Sequence, residues 1–219
     1  VLARELNLGD NALGLLTSTY FLAFGAAQLP LGMLLDRFGP RRTASVLVTV
    51  GSVGAFLFSQ ATGAFHLNLA MGLIGIGCAP VLMASYFIFA RQVSPAVFGT
   101  LAGITIGIGS LGNVAASLQL SAAVAAFGWR ETVLGLAAIT GAVALAILVL
   151  VRDPPRLSTA RNGSLLDLLR IPALWPILAM MVVCYMPIAG LRGLWVGPYF
   201  ADAHGADQAE IARISGSWP

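Results

Sequence analysis

Few side chains in this sequence can do chemistry, and four of the charged ones stand close together. Between two long apolar runs lies Gly32-Met-Leu-Leu-Asp-Arg-Phe-Gly-Pro-Arg-Arg42, with the carboxylate of Asp36 and the guanidiniums of Arg37, Arg41 and Arg42. Opposite charges at this spacing suit ion pairing and anchorage in water. Gly39-Pro40 marks a tight turn, because glycine tolerates unusual backbone angles and proline fixes φ. Next to a helix N-terminus, Asp36 also gains dipole stabilisation. A second charged candidate is Arg192, the one ionisable side chain well inside an apolar run, within Gly190-Leu-Arg-Gly-Leu-Trp195-Val-Gly-Pro-Tyr199. Such a residue faces a water-filled cavity or a partner, because lipid is costly for it. Two readings stand: a seat for an anionic solute, or a side chain that snorkels to the nearby end of the run. Tyr86, Asn113, Gln119, Tyr185, Trp195 and Gln28 are neutral candidates for a solute path, and each also reads as a hydrogen-bonding link between helices.

Other chemistries find no support. None of the nine acidic residues lies in the middle of an apolar run, so no proton-carrying carboxylate is available there. There is no CxxC or His/Cys cluster to hold a metal, no phosphate-binding Walker loop, and no intramembrane Ser/His pair. No catalytic residue, metal or cofactor is expected. Cys78 and Cys184 read as small core residues, and His66 and His204 as solvated loop residues.

The elements that position these residues follow from composition. Charged residues make up 10% of the chain and apolar ones 58%, against about 25% charged in ordinary globular domains. The bilayer is therefore the expected solvent, and the net charge of +3 is no nucleic-acid footprint. A spanning helix needs about 20 apolar residues. Six segments qualify, near 13–34, 43–62, 67–90, 98–122, 132–151 and 174–200. Asp10 or Asn11 is the expected cap of the first. Small residues Ser45, Gly51, Ser52 and Gly54 suit close packing of the second. Pro80 and its neighbouring glycines invite close packing or a break in the third, and Gly99, Gly103 and Gly107 a close helix approach in the fourth. Trp129 stands where an interfacial indole belongs. Prolines 176, 187 and 198 predict kinks in the sixth, and Ser164 to Asp167 predict a short surface helix before it. On the hinge side fall Arg37, Arg41, Arg42, Arg91, Arg152, Arg156, Arg161 and Arg170, against Arg4, Arg130 and Arg213 opposite, which places the hinge in the cytoplasm. With six spans both ends then lie outside, and a helix ahead of Val1 would ease insertion.

At the hinge the sequence resembles the major facilitator superfamily of secondary transporters. The signature G-x-L-x-D-R-x-G followed by basic residues is matched by Gly32, Leu34, Asp36, Arg37 and Gly39, then Arg41 and Arg42, with Pro40 where a basic residue is frequent. Gly128-Trp129-Arg130 is similar to the family's outer loop between helices five and six. The arginine-rich stretch 152–172 is similar to the linker between its halves. The resemblance implies that the six spans are helices two to seven, with the first helix and the last five absent. It also implies a gating role for Asp36 and the hinge arginines. Two departures stand against a typical drug/proton antiporter. Met71 occupies the position, ahead of Gly75-Ile-Gly77, where proton-coupled members often carry Arg. The glycine-proline motif of the fifth helix is also missing around Gly107 to Asn113.

The expectation is thus an all-α polytopic bundle, a partial transporter fold. Residues 1–151 would belong to the N-terminal half, 152–173 to a cytoplasmic linker, and 174–219 to the first helix and outer loop of the other half. Expected partners are the bilayer, a small-molecule substrate and the absent transporter helices, in a cell membrane of bacterial inner-membrane type. The implied activity is secondary transport of a small solute by alternating access. The rivals are a non-transporting truncated membrane protein and an intramembrane enzyme.

Overall fold

A computed structural model describes residues 5, 9–154, 170–190 and 199–200. Among these residues there is no strand, and seven helices follow in order: α1 (Asp10–Phe38), α2 (Pro40–Ser59), α3 (Ala64–Cys78), α4 (Pro80–Gln92), α5 (Pro95–Phe127), α6 (Trp129–Leu150) and α7 (Leu174–Gly190). Five stretches are long and apolar enough to cross a membrane: Ala12–Phe38, Pro40–Ser59, Ala64–Gln92, Pro95–Gly112 and Trp129–Leu150. The sixth expected span is represented by α7, which runs through Pro176 and Pro187 as one helix. Residues 191–198 of that span and the 164–167 segment lie outside the described residues.

Contacts divide the chain into two compact units. The second comprises Ser110–Leu118 and Arg156–Pro219 and contains α7. The first comprises Val1–Gly109 and Gln119–Pro155. In the first unit α2 is the central packing element, with α3 on one side and α6 on another, while α1 packs along α3.

Small residues decide these contacts. A Cβ on Gly54 would come 2.9 Å from the Ala70 carbonyl oxygen, and one on Gly75 would meet the Tyr20 carbonyl oxygen at 2.5 Å. Gly51 and Gly77 face each other backbone to backbone across α2 and α3. Towards α6 the link is polar. Ser45 Oγ donates to the Ala144 carbonyl at 2.9 Å, and Ser52 Oγ to the Ala137 carbonyl at 2.8 Å. The serines are seven residues apart, as are their acceptors, so one stripe of α2 follows one stripe of antiparallel α6. In hydrocarbon this packing and hydrogen bonding carries helix association, since burying apolar surface in lipid gains little.

Several expectations are corrected. The N-cap of α1 is Gly9, whose carbonyl accepts from Ala12 and Leu13, so Asp10 is already helical. The break that Pro80 invites in the third expected span falls at Ala79, where Pro80 has no N–H to continue the ladder and starts α4, within one stretch Ala64–Gln92. Gly99, Gly103 and Gly107 meet no described neighbour within 4 Å of a built Cβ. Their spacing permits close approach, yet the close approaches occur on α2 and α3. Cys78 and Cys184 are free and exposed, not core. Trp129 is buried and hydrogen bonded, not an interfacial anchor in lipid.

Candidate functional site

The hinge is organised around Gly39. Its backbone, at φ +83° and ψ 161°, ends α1 by donating to the Leu35 carbonyl and begins α2 by accepting from Thr43. This conformation is open essentially to glycine alone. Thr43 Oγ1 closes the turn onto the Leu34 carbonyl at 3.1 Å. Gly32, by contrast, has no neighbour within 4 Å of a built Cβ.

From this turn two ties reach other helices. Asp36 accepts from Arg91 Nη2 at 3.0 Å, which joins the end of α1 to the end of α4. The Arg91 guanidinium rests 3.9 Å from the centre of the Phe87 ring, so the aromatic face orients it. The Asp36 carboxylate is more than half exposed, and such a pair contributes at most about 1 kcal/mol. It is the kind of link that opens and closes at little cost. The second tie runs to α6. Asp153 accepts from the Arg41 backbone N–H at 2.9 Å, and Arg41 Nε donates to the Leu148 carbonyl at 2.5 Å. Arg37 and Arg42 take no part in either tie. Arg37 lies over its neighbour Phe38 at 5.3 Å, and Arg42 borders an apolar groove.

The opposite end of the α2–α6 pair repeats the pattern. Gly128 has φ +83° and ψ 164°, ends α5 and begins α6. Two residues later Arg130 Nη1 donates to the Ser59 and Ala61 carbonyls, both at 3.0 Å, at the end of α2. Arg41 and Arg130 thus each stand near the start of one helix and satisfy final carbonyls of the other, where a cation also complements the helix dipole. A carboxylate accompanies each. At the second end it is Glu5, which accepts from Arg130 Nη2 at 3.1 Å and from Trp129 Nε1 at 2.5 Å. The Trp129 hydrogen bond, then Arg130, hold the Glu5 carboxyl below its ordinary range.

Of the remaining candidates, Gln28 Nε2 donates to the Ala79 carbonyl at 3.3 Å and braces the α3–α4 break. Tyr86 packs against Phe98, with ring centres 6.0 Å apart, and Gln119 is exposed on α5. Asn113 lies on α5 and Tyr185 on α7, with side chains outside the description, and Arg192 and Trp195 lie outside the described residues. The structure gathers Asp36, Gly39 and Arg41 with Arg91, Leu148 and Asp153. The last partner was not evident from sequence, nor were Glu5 and the linking role of Arg130. A signal did exist: Gly39-Pro-Arg-Arg-Thr43 and Gly128-Trp-Arg-Glu-Thr132 share the pattern G-x-R-x-T.

The sequence profile of the Major Facilitator Superfamily matches residues 1–216. The chain is 27% identical over 155 residues to the probable sulfoacetate transporter SauU of Cupriavidus necator, covering 71% of this chain and 36% of that protein. It is 32% identical over 137 residues to the probable L-galactonate transporter of Escherichia coli, covering 58% and 28%. With the nitrate/nitrite transporter NrtP of Nostoc punctiforme it shares 28% over 196 residues, covering 83% and 38%. The chain therefore spans between 28% and 38% of the length of these relatives. In fold it is similar to the crystal structure of the nucleoside transporter NupG, with a TM-score of 0.69 at 15% identity, over 98% of this chain and 56% of that one.

Proposed function

Because the chain belongs to the Major Facilitator Superfamily and to a multi-pass membrane protein, we propose that the whole protein moves a small solute across a bacterial inner membrane by alternating access. The observation that carries the mechanism is the pair of ties from one hinge. Asp36 binds the α4 end through Arg91, and Gly39 and Arg41 bind the α6 end through Asp153 and Leu148. The hinge lies on the cytoplasmic side, as its share of the arginines requires. There the exposed Asp36–Arg91 pair is the element that opens and closes, and the Arg41 tie keeps α2 registered on α6.

A small anion is the substrate class we favour. The relatives carry the names probable sulfoacetate transporter, probable L-galactonate transporter and nitrate/nitrite transporter, and each named solute is an anion at neutral pH. Arg192 is the candidate cation for it. The test is uptake by the whole protein in proteoliposomes, with sulfoacetate and L-galactonate as probes. Asp36→Asn is expected to insert normally and lose most uptake; uptake at the wild-type rate would refute the gating role. Arg192→Ala is expected to weaken anion binding, and equal binding would remove Arg192 from the site. Failure of every anion alongside uptake of a neutral solute would discard the substrate class while leaving transport intact.

A further inference from the structure

Beside the hinge, between the last turn of α1 and the first turns of α2, runs a groove of about 350 Å³ lined by Leu34, Phe38, Arg42, Thr43, Val46 and Leu47. We propose that it binds an anionic glycerophospholipid, with one acyl chain along the groove and the phosphate at Arg42. The walls are apolar. Thr43 has its hydroxyl committed to the Leu34 carbonyl, so it offers no free donor to a polar solute. Val46 and Phe38 are 62% and 44% exposed among the described residues, on helices long and apolar enough to cross a membrane, so the walls of the groove suit an acyl chain.

Charge sets the headgroup. Arg42 is exposed and has no hydrogen-bond or ion-pair partner among the described residues, whereas Arg41 is turned to Leu148 and Arg91 is held by Asp36. Arg37 adds a second cation, with its guanidinium over the ring of Phe38, itself a wall of the groove. Among the described residues the nearby carboxylates are occupied, Asp36 by Arg91 and Asp153 by the Arg41 N–H. Two uncompensated guanidiniums therefore flank an apolar slot at the cytoplasmic boundary, the leaflet face where basic residues recruit anionic headgroups. Arginine matches a phosphate with paired N–H donors. A zwitterionic headgroup presents the same phosphate but places its own cation beside Arg37 and Arg42, so phosphatidylglycerol is favoured over phosphatidylcholine.

The experiment reads lipid binding directly and needs no transport activity, so it stands or falls separately from the proposed function. The whole protein, delipidated in detergent, is titrated with phosphatidylglycerol or phosphatidylcholine of identical acyl chains, and bound lipid is counted by native mass spectrometry. Phosphatidylglycerol is expected to bind about fivefold more tightly, the ratio that corresponds to about 1 kcal/mol for one basic residue at the surface. Arg42→Gln removes most of that preference. Val46→Trp fills the groove and weakens both lipids, whereas Val53→Trp, an exposed position on the same helix outside the groove, changes neither. Equal binding of the two lipids by the wild type, or an unchanged preference in Arg42→Gln, overturns the proposal. So does a photo-crosslinker at position 46 that labels protein and not lipid, since another polypeptide segment would then occupy the groove.

Discussion

Gly39→Ala and Gly128→Ala form a matched pair whose difference is set by one neighbour. Both glycines have φ +83°, with ψ of 161° and 164°, so alanine meets the same backbone strain at either. That strain is worth about 1–3 kcal/mol. At Gly128 a Cβ finds open space, and the strain is the whole effect. At Gly39 the Cβ would lie 2.7 Å from Asp153 Oδ1, the oxygen that accepts from the Arg41 N–H. The carboxylate must swing away, and the hydrogen bond it makes contributes a further 0.5–1.5 kcal/mol or about that. Thermal unfolding of the purified protein in a fixed detergent, followed by tryptophan fluorescence, reads the two substitutions. On the scale of about 2–4 °C per kcal/mol for chains of this size, Gly128→Ala lowers Tm by several degrees and Gly39→Ala by a few degrees more. In an Asp153→Ala background, which has already lost the hydrogen bond, the two substitutions become equal. If Gly128→Ala is as damaging as Gly39→Ala in the wild-type background, the close approach of Asp153 to the turn is wrong. If either substitution is neutral, the positive φ is wrong as well.

Three further outcomes follow from the contacts. Gly77→Ala places a Cβ against the Gly51 backbone and the Leu47 carbonyl, groups that cannot rotate aside; helix separation should cost about 1–3 kcal/mol, whereas Gly32→Ala, with open space, leaves Tm unchanged or higher. Arg130→Met strands the Ser59 and Ala61 carbonyls, a loss of about 1–3 kcal/mol, and amide exchange at the end of α2 and start of α3 should quicken while that near Arg41 does not. The Glu5 carboxyl sits below its ordinary range because Trp129 and then Arg130 favour its charged form. Its contribution is therefore complete above that ordinary range and lost as pH falls through the depressed value. Trp129 fluorescence should report this acid transition, and Glu5→Gln should abolish it.

The spans and the hinge were legible because both rest on local rules: apolar length, a glycine-proline turn and the one-sided arginines. The same rules anticipated trouble at Pro80 and close packing along α2. Partners were harder. Asp36 could be read as an ion-pairing carboxylate, but Arg91 lies 55 residues away, and only the packing of α1 on α3 and α4 brings them together. Asp153 looked like part of a linker, and Glu5 like part of a polar lead-in, since neither sits within a periodic pattern. The glycines of α5 have no close neighbour among the described residues. A four-residue spacing states that a helix face is smooth, not that another helix lies on it. Trp129 misled for a related reason, because an indole beside an apolar run suits the interface as well as it suits a hydrogen bond to Glu5.

The reciprocal arginines give the α2–α6 pair the mechanics of a beam fixed at both ends. Arg41 and Arg130 clamp opposite extremities, and the Ser45 and Ser52 bonds rivet the length between them. A member supported in that way resists sliding and splaying together, so a load applied at either mouth is passed along it and not absorbed by it. The α3–α4 joint at Ala79 lacks such clamps among the described residues and is held by the Gln28 side chain and apolar packing. The two clamps also bathe in different compartments. Acid on the Glu5 side protonates the carboxylate that accompanies Arg130 and loosens that fixing alone, turning a fixed beam into a cantilever.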